Sequence, residues 1–506
     1  MINNKKILTI AGIKELLIKK DRNTIVLCHG VFDLLHIGHI KYFEEAKSMG
    51  DILVVTLTPD AFVNKGAGRP VFNQQLRLEA ISALECVDYV AINEWPTAIE
   101  TIQTLKPDFY VKGPDYKNYA DDISGNIELE QKAVESVGGK IKLTKGQVFS
   151  SSNLINNFFS NNNPEQKKFI QELKHNFSIS DIYGDLDRLE NLKVLLVGET
   201  IIDEYIFCRS IGKSGKEPVL VSQKLRSEKY AGGVLSVANH LSDFCSKVKV
   251  VTYLGDRDSQ QNFIEKNISD NVELDFIIKS KSPTILKTRY IDDDSPKTKT
   301  QGIYDLNDEN LNEVEEKDLL GKLTACIEDY DVIIVVDYGH GLITPNIVKT
   351  LEYKSGFLAV NTQLNSFNAA FHSISKYKRA DYICVHSGEL RHDYRNRNDK
   401  IESLTEKLSK RVNSKFVTIT HGRKGSMVFN GEKFIYCPAF AQKVVDRVGA
   451  GDTLLAITSL CFAGGIDERI TLLLGNLSAA ETVANTGTGN KLNKINLLKT
   501  VETLLK

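Results

Sequence analysis

The sequence predicts an α/β protein with two domains, each built on a doubly wound, mostly parallel sheet. Three observations carry this prediction. The 506 residues exceed what one ordinary core needs. Short apolar runs alternate with stretches of helical periodicity in both halves of the chain. A cluster of polar turn formers, SNNNP at 160–164, interrupts this alternation and is the best candidate for a boundary.

Five strands are predicted in the first half, at Ile25–Cys28, Ile52–Leu57, Tyr89–Ile92, Phe109–Val111 and Lys140–Leu143. The second half opens with a strand at Lys193–Val197. Within it, Glu217–Tyr230 alternates with a period of two, which predicts exposed antiparallel strands able to form a small β lid. We therefore expect a first domain over residues 1–160, a linker and helical preamble over 161–189, and a second domain over 190–506.

Composition and charge exclude several classes of function. Hydrophobic residues at 42% and charged residues at 25% are ordinary for a soluble globular protein. The formal charge of -1 offers no net field for nucleic acid or an anionic membrane, so neither is expected as a partner. The eight cysteines form no CxxC, which indicates reduced thiols. Because neither a signal peptide nor a long apolar run is visible, a cytoplasmic location is predicted.

A turn suited to phosphate follows the first predicted strand. The segment His36-Ile37-Gly38-His39 begins a helix, where free N–H groups and the helix dipole favour an anion. His36 and His39 lie on one face and can donate hydrogen bonds to phosphate oxygens. Gly38 lets a nucleotide approach the backbone. The preceding GVFD and the strand–turn–helix context distinguish this motif from a chance pair of surface histidines.

These residues resemble the HxGH nucleotidyltransferase superfamily, and over about residues 10–157 they resemble the nucleotidyltransferase domain of ADP-heptose synthases. The further motifs, in family order, are KGAGRPV at 65–71, QLR at 75–77, VD at 87–88, VKGPDY at 111–116 and SSS at 150–152. The resemblance implies transfer of a nucleotidyl group from ATP or CTP to a sugar or polyol phosphate, with release of pyrophosphate. The catalytic residues that it implies are His36, His39, Lys65 and Arg77. The nucleotide-binding residues that it implies are Gly30, Val31, Phe32, Gly38, Lys112, Gly113, Asp115, Ser151 and Ser152.

Two observations qualify this resemblance. Related cytidylyltransferases carry an Arg shortly before their Ser-Thr-Thr segment, where the nearest residue here is Lys145, which cannot grip phosphate in the same bidentate way. HxGH also opens the nucleotide site of class I aminoacyl-tRNA synthetases. The short domain, the near-neutral charge and the absence of a KMSKS-like segment argue against that alternative.

A glycine turn near the C-terminus predicts a second site. The segment DRVGAGDT at 446–453 precedes an apolar helical stretch, Leu454–Phe462. Successive N–H groups of Gly449, Ala450 and Gly451 can point at a phosphoryl group in transit. Asp452 stands where it can deprotonate an acceptor hydroxyl. As a bare string, GAGD could also be an ordinary turn, so the prediction depends on partner motifs elsewhere.

The partner motifs are GETIID at 198–203, GG at 232–233, DYGHG at 337–341, HSGE at 386–389 and THGRKG at 420–425. In this order they resemble the ribokinase-like, or PfkB, carbohydrate kinase family across about residues 190–506. The resemblance implies ATP-dependent phosphorylation of a sugar, with Glu389 acting on Mg²⁺ through water. The sugar-binding residues that it implies are Asp203, Gly232, Gly233 and Ser236. The ATP-site residues that it implies are Thr420, Gly422 and Gly425, with Gly449, Ala450 and Gly451 forming the anion hole.

Three departures from the kinase pattern concern the sugar and nucleotide sides of this site. Ser236 and His386 each replace an Asn of the family. The segment 361–363, Asn-Thr-Gln, stands where heptose kinases carry Asp-Pro-Lys, so two charges are missing. We therefore expect either an acceptor less anionic than heptose 7-phosphate or a phosphorylation site that has decayed.

Taken together, the two resemblances imply a bifunctional enzyme of nucleotide-sugar synthesis. ADP-heptose synthases carry the kinase first, whereas here the order is reversed. The implied partners are a sugar or sugar phosphate and nucleoside triphosphates, with ATP as the phosphoryl donor, and we expect a homo-oligomer. The alternative is an active nucleotidyltransferase fused to an inactive kinase-like module that binds sugar or dimerises.

Overall fold

A computed structural model describes residues 5–19, 23–63, 65–66, 69–113, 126–145, 162–294, 298–354, 356–369, 371–487, 489 and 491–506. The chain divides into two compact units. The first comprises Met1–Asn162 with Leu498–Lys506, and the second comprises Asn163–Leu497. Across the described ranges, no helix combines the length and the apolar character needed to span a membrane.

The first unit is built on a five-stranded parallel sheet in the order β3-β2-β1-β4-β5. Its strands are β1 Ile25–Gly30, β2 Ile52–Leu57, β3 Tyr89–Ile92, β4 Phe109–Lys112 and β5 Lys140–Leu143. Its helices are α1 Ile10–Ile18, α2 Ile37–Lys47, α3 Gln74–Ser82, α4 Ile99–Leu105 and α5 Asn126–Ser136. All five strands lie where the apolar runs predicted them.

Helices cover both faces of this sheet. Leu27 and Val54 pack with apolar residues of α1, α4 and α5, whereas Val26 and Val55 pack with α2 and α3. This doubly wound arrangement confirms the predicted fold class. The strand order reverses between β1 and β4, and ligands of such sheets bind at the carboxyl ends of the strands at this reversal.

The second unit contains a nine-stranded sheet in the order β10-β9-β6-β13-β14-β15-β16-β17-β18 and a four-stranded sheet in the order β12-β11-β7-β8. The strands are β6 Lys193–Gly198, β7 Thr200–Lys213, β8 Leu220–Gly233, β9 Lys247–Arg257, β10 Val272–Pro283, β11 Ile285–Asp292, β12 Thr298–Asp305, β13 Val332–Asp337, β14 Phe357–Thr362, β15 Tyr382–His386, β16 Phe416–Thr420, β17 Ser426–Phe429 and β18 Phe434–Cys437. Only the steps from β16 to β17 and from β17 to β18 are antiparallel in the larger sheet.

The helices of the remaining chain are α6 Pro164–Asn176, α7 Ile179–Leu189, α8 Val234–Leu241, α9 Gln261–Asn267, α10 Glu313–Cys326, α11 Pro345–Lys354, α12 Ser387–Asp393, α13 Ile401–Arg411, α14 Ala450–Ala463, α15 Glu468–Val483 and α16 Lys494–Leu505. The four-stranded sheet, called the lid sheet below, contains the predicted exposed strand. Its strands β7 and β8 pair in antiparallel fashion, and most of β8 is exposed. The predicted lid is therefore present.

The boundary between the units falls close to the predicted turn. Asn163 caps α6 through a capping box, and Pro164 occupies the first helical turn. Asn and Pro are preferred at these positions, so residues that interrupt one pattern also begin the next helix. The stretch 161–189, predicted as a linker and preamble, thus contributes α6 and α7 to the second unit, and residues 498–506 belong to the first.

Candidate active sites

The first candidate site lies beside β1, where the strand order reverses. His36 caps α2, and its Nδ1 accepts a hydrogen bond from the Gly38 N–H at 3.0 Å. Burial lowers the pKa of His36, so the ring is neutral at physiological pH. Because Nδ1 is the acceptor, the single ring proton resides on Nε2. His36 therefore presents an oriented N–H donor.

His39 completes the predicted pair. The rings of His36 and His39 stack with centroids 3.9 Å apart, and the edge of Phe32 packs against His39 at 5.4 Å. Burial, with smaller contributions from the neighbouring His36 and Lys65, lowers the pKa of His39 to about 3. Two neutral imidazoles held in this way stabilise phosphate oxygens by N–H donation rather than by formal charge.

Asp33 organises the loop that carries the nearby cations. Its buried carboxylate accepts hydrogen bonds from the Val71 N–H, at 2.9 and 3.0 Å, and from the Phe72 N–H at 3.2 Å. Arg69 lies 3.5 Å away and completes an ion pair. Burial, followed by the charge of Arg69, lowers the pKa of Lys65. Sequence reasoning did not assign Asp33 a role, although its position in GVFD, three residues before His36, was a usable signal.

Arg77 was predicted to stabilise a triphosphate, and the structure places it inside the protein. Its Nε donates to the Phe72 carbonyl at 3.0 Å, and its Nη1 donates to the Val31 carbonyl at 2.5 Å. Its Nη2 donates to the Thr58 carbonyl at 3.0 Å and to Asp60 Oδ1 at 2.5 Å. Arg77 is 2% exposed. It thus braces the loops after β1 and β2 against the start of α3, which favours a positioning role.

We expect Arg77→Met to destabilise the first unit by about 3–5 kcal/mol. The substitution removes the guanidinium, so one carboxylate and three carbonyls lose their hydrogen-bond donor. The only tryptophan, Trp95, packs against the core of this unit, so its fluorescence during urea unfolding measures the effect. Arg188→Met is the matched control, since Arg188 has a largely exposed side chain in the second unit. Equal midpoints for both variants would contradict the bracing role.

The remaining predicted residues of this site fall into two groups. Lys112 ends β4, and its Nζ lies 2.8 Å from Glu130 Oε2 in a buried ion pair. Gly113 follows, and a Cβ atom there would meet no atom within 4 Å. Both residues therefore stand at the reversal of strand order. The other predicted contacts, Asp115, Ser151 and Ser152, lie outside the described residues.

The second candidate site lies where the order of the nine-stranded sheet reverses, between β6 and β13. Glu199 directly follows β6, and its buried carboxylate accepts hydrogen bonds from the Tyr338 N–H at 3.0 Å and the His340 N–H at 2.9 Å. Burial raises the pKa of Glu199 to about 6, and the nearby Asp337 contributes in the same direction. One side chain thus connects the two strand ends that flank the reversal.

Asp452 occupies the first turn of α14, which begins at Ala450 rather than at the predicted Leu454. Gly449 caps this helix with φ 85°, a conformation that favours glycine. Burial raises the pKa of Asp452 to about 7, with the Asp203 carboxylate adding to the shift and Lys287 opposing it. A carboxyl group with this pKa is suited to act as a general base near neutral pH. The helix N-terminus beside it favours an anion.

The predicted sugar-binding residues meet at the base of the lid sheet. Asp203, on β7, forms an ion pair with Arg289 of β11. A Cβ atom on Gly232 would lie 2.1 Å from Asp203 Oδ2, and one on Gly233 would lie 2.5 Å from the Glu199 carbonyl. Both glycines are therefore required by close packing.

The remaining predicted sugar contact, Ser236, is buried in α8. Its hydroxyl lies 3.3 Å from His240 Nε2, and Thr453 of α14 bonds the same nitrogen at 3.1 Å. Burial lowers the pKa of His240 to about 4, so this ring is neutral. The Ser236 hydroxyl therefore participates in an internal contact between α8 and the helix that carries the predicted base.

The predicted ATP-site residues lie along the same edge of the sheet. His386 and Thr420 are register partners at the ends of β15 and β16. The Glu389 carboxylate accepts hydrogen bonds from the His386 N–H at 2.7 Å and the Leu364 N–H at 3.1 Å. The turn after β16 contains Gly422 and Gly425, with φ of 57° and 88°.

Glu389 fits a water-mediated contact to a metal ion better than direct ligation. Each of its oxygens already accepts a backbone N–H and keeps a further lone pair. Among the described residues, no group of three or more His, Cys, Asp or Glu side chains could hold a metal ion. The lone pairs that Glu389 keeps can accept hydrogen bonds from the water shell of Mg²⁺, an ion that keeps several waters.

Two buried groups near this site were not predicted. Lys287 of β11 is the register partner of Asp203, and its Nζ lies 5.6 and 5.8 Å from the ring centroids of Tyr304 and Tyr338. Lys287 is 7% exposed, and no described residue forms an ion pair or hydrogen bond with its ammonium. Neither ring nitrogen of the fully buried His340 has a hydrogen-bond partner among the described residues. Burial lowers the pKa of His340 to about 3, and Lys287 contributes.

Comparison with known proteins agrees with this division of the chain. Residues 191–495 match the model of the pfkB family carbohydrate kinases, and residues 27–168 match the cytidylyltransferase-like model. The fold and the second site are those of a small-molecule kinase with a β lid. Since the first match covers more than half of the chain, the protein belongs to the pfkB carbohydrate kinase family, and it carries an N-terminal cytidylyltransferase-like domain.

Relatives align with this chain over one segment at a time. The bifunctional protein HldE of Campylobacter jejuni (strain RM1221) is 26% identical over 299 residues, 58% of this chain and 62% of that protein. HldE of Syntrophotalea carbinolica is 42% identical over 122 residues, 24% of each chain, and HldE of Aliarcobacter butzleri is 42% identical over 142 residues, 27% of this chain and 30% of that one. The chain thus spans less than two thirds of these relatives. The crystal structure of phosphofructokinase-2 from Escherichia coli in complex with potassium superposes with a TM-score of 0.51 at 13% identity, covering 62% of this chain and 100% of that one, which shows the shared fold.

Proposed function

We propose that this chain catalyses two successive steps of nucleotide-sugar synthesis. The second unit phosphorylates a heptose-like sugar with ATP, and the first unit transfers a nucleotidyl group from ATP or CTP to a sugar or polyol phosphate. The observation that carries the proposal is the buried Asp452, with a pKa of about 7, in the first turn of α14 behind a glycine turn. The paired neutral imidazoles at the start of α2 support the second activity.

In the kinase reaction, Asp452 accepts the proton of the acceptor hydroxyl as its oxygen bonds to the γ-phosphorus of ATP. The bond between that phosphorus and the β,γ-bridging oxygen breaks, and ADP leaves. The N–H groups of Gly449, Ala450 and Gly451 stabilise the charge on the transferred group. Asp203 orients the sugar through its hydroxyls. Glu389 would hold Mg²⁺ through water, and the bound ion would supply charge neutralisation for the nucleotide phosphates.

In the nucleotidyl transfer, a phosphate oxygen of the acceptor bonds to the α-phosphorus of the triphosphate, and pyrophosphate leaves. The Nε2–H of His36 and the ring of His39 stabilise the phosphate oxygens. Lys65 supplies positive charge in the loop that Asp33 organises. Arg77 contributes by bracing that loop rather than by touching the nucleotide.

Lys287 indicates the charge of the kinase acceptor. On the lid sheet, Asp203 has Lys287 as its register partner on β11 and forms an ion pair with Arg289, so two cations lie beside this one carboxylate. A buried ammonium without a partner is costly unless a ligand pairs with it. We therefore assign an acceptor that carries an acidic group such as phosphate. The two charges missing at 361–363 had suggested a less anionic acceptor, and Lys287 provides a cation from a different strand.

We expect Lys287→Met to raise the KM for a sugar-phosphate acceptor by about 10- to 100-fold, because a charge-assisted hydrogen bond is lost. Initial rates of ADP release with matched sugar and sugar-phosphate pairs measure this. The KM for the neutral sugar should change little, and Lys224→Met, at an exposed position of β8, is the control. A rise confined to the KM for ATP would show instead that Lys287 binds the nucleotide.

The proposal as a whole is tested by measuring ADP and pyrophosphate release with each nucleoside triphosphate over sugars, sugar phosphates and polyol phosphates. Both products are expected. Pyrophosphate without any acceptor-dependent ADP would establish the alternative, an inactive kinase-like module. The cytoplasmic location is supported by eight free thiols. The homo-oligomeric state stays a prediction.

A further inference from the structure

One buried carboxylate connects the lid sheet to the turn that carries the anion hole. Asp446 Oδ1 accepts hydrogen bonds from Lys299 Nζ at 2.6 Å and from the Val448 N–H at 3.1 Å. Asp446 Oδ2 accepts from the Tyr205 hydroxyl at 2.9 Å and from the Gly487 N–H at 3.4 Å. The Asp446 side chain is 4% exposed. Burial alone would raise its pKa, but Lys299 and the other donors hold the pKa below its usual value.

The four donors come from two parts of the second unit. Lys299 lies on β12 and Tyr205 on β7, and both strands belong to the lid sheet. Val448 directly precedes Gly449, the residue that caps α14. Asp446 therefore receives two hydrogen bonds from the lid and two from the loops beside the anion hole.

Aromatic packing reinforces this connection. The Tyr205 ring meets the Tyr230 ring edge-on at 5.5 Å, and Lys299 Nζ lies 5.4 Å from the Tyr205 centroid. A Cβ atom on Gly487 would lie 2.5 Å from the Tyr230 ring, so the lid also packs closely on the loop that donates to Asp446. The inner face of the lid sheet therefore packs directly against these loops.

We propose that Asp446 is a positioning residue of the kinase reaction, which couples closure of the lid sheet to formation of the anion hole. This inference rests on the kinase function proposed above. If the lid lifts, Asp446 loses two of its four donors, and a buried carboxylate left short of partners is strongly unfavourable. The closed lid and the ordered turn at 447–452 therefore stabilise each other. The base and the anion hole are complete only while the lid covers the acceptor.

The test compares Lys299→Met and Lys299→Arg in the full chain. We expect Lys299→Met to lower kcat for ADP formation by about 10- to 100-fold with a smaller change in the KM for ATP, since the turn is less often ordered. Lys299→Arg keeps the charge and should restore most of the rate. Lys224→Met on β8 should leave kcat unchanged. A wild-type kcat in Lys299→Met, or no recovery in Lys299→Arg with both variants folded by circular dichroism, overturns the proposal.

A second measurement separates this inference from the proposed activity. Hydrogen–deuterium exchange of residues 447–452 needs no turnover, and Lys299→Met should accelerate it relative to both wild type and Lys224→Met. If wild type releases no ADP but this acceleration is seen, the kinase proposal fails and the connection stands. Unchanged exchange in Lys299→Met overturns the connection whatever the activity.

Discussion

Asp452→Asn is expected to reduce acceptor-dependent ADP release by about 10²- to 10⁴-fold, the range that a positioned general base contributes. The amide keeps the size of the side chain but cannot accept the proton of the acceptor hydroxyl. Because Asp452 is buried, the loss of its charge should not unfold the second unit. Coupled detection of ADP over a panel of sugars and sugar phosphates measures the effect.

The pH dependence of the kinase provides a second signature of the same residue. Burial raises the pKa of Asp452 to about 7, and only the ionised carboxylate can accept a proton. Activity should therefore rise with pH through about 7 and fall as the carboxyl protonates below it. The residual rate of ADP release in Asp452→Asn should not show this rise with pH.

Asp318→Asn is the matched control, because Asp318 is exposed on α10. It should retain wild-type ADP release, and pyrophosphate release should be normal in both variants. If Asp452→Asn and wild type gave the same ADP rate, the assignment of Asp452 as the base would be wrong. A pH profile that is flat through neutrality in wild type would count against the raised pKa.

His39→Ala is expected to lower pyrophosphate release by about 10²- to 10³-fold, comparable to the removal of one oriented donor from an oxyanion site. The stacked His36 ring and the edge of Phe32 would also lose the partner that fixes them. Because burial holds the pKa of His39 at about 3, the ring stays neutral between pH 6 and pH 9, so its contribution should not vary with pH there. Pyrophosphate release at several pH values tests both statements.

His175→Ala serves as the control, since His175 is exposed on α6. ADP formation should be unaffected by either histidine variant. An equal loss of ADP and pyrophosphate in His39→Ala would show that the two sites are not independent. A strong dependence of the His39 contribution on pH would mean that the ring acts as a cation after all.

Much of the fold, and the motifs of both candidate sites, could be predicted from local patterns. Strands such as Ile52–Leu57 are continuous apolar runs because parallel strands are buried on both faces, and their bounds agree with the structure. The residues of β8 alternate with a period of two because successive side chains of a strand point to opposite faces, and this pattern predicted an exposed lid strand. HxGH and GAGD were recognisable because each places small residues and one chemical group at a helix start, which is a property of adjacent residues.

The roles of other residues depended on contacts between distant segments, which no local pattern encodes. Arg77 stood in a motif that implied nucleotide binding, yet carbonyls from three loops surround its guanidinium. Lys287 became significant only when β11 was placed beside β7, where its ammonium is buried and has no ion-pair partner among the described residues. Asp446 was read as part of a glycine turn until its partners on the lid sheet were known.

The sequence by itself thus determined the two α/β domains and their order, and it located the motifs to which we assign the chemistry, because backbone periodicity and helix-start motifs are set by neighbouring residues. Only the tertiary structure decided which charged side chains are buried at the sites and which of them are paired with other described residues. The physical reason is that burial and pairing govern the free energy of a charge, and both are set by residues far apart in the chain.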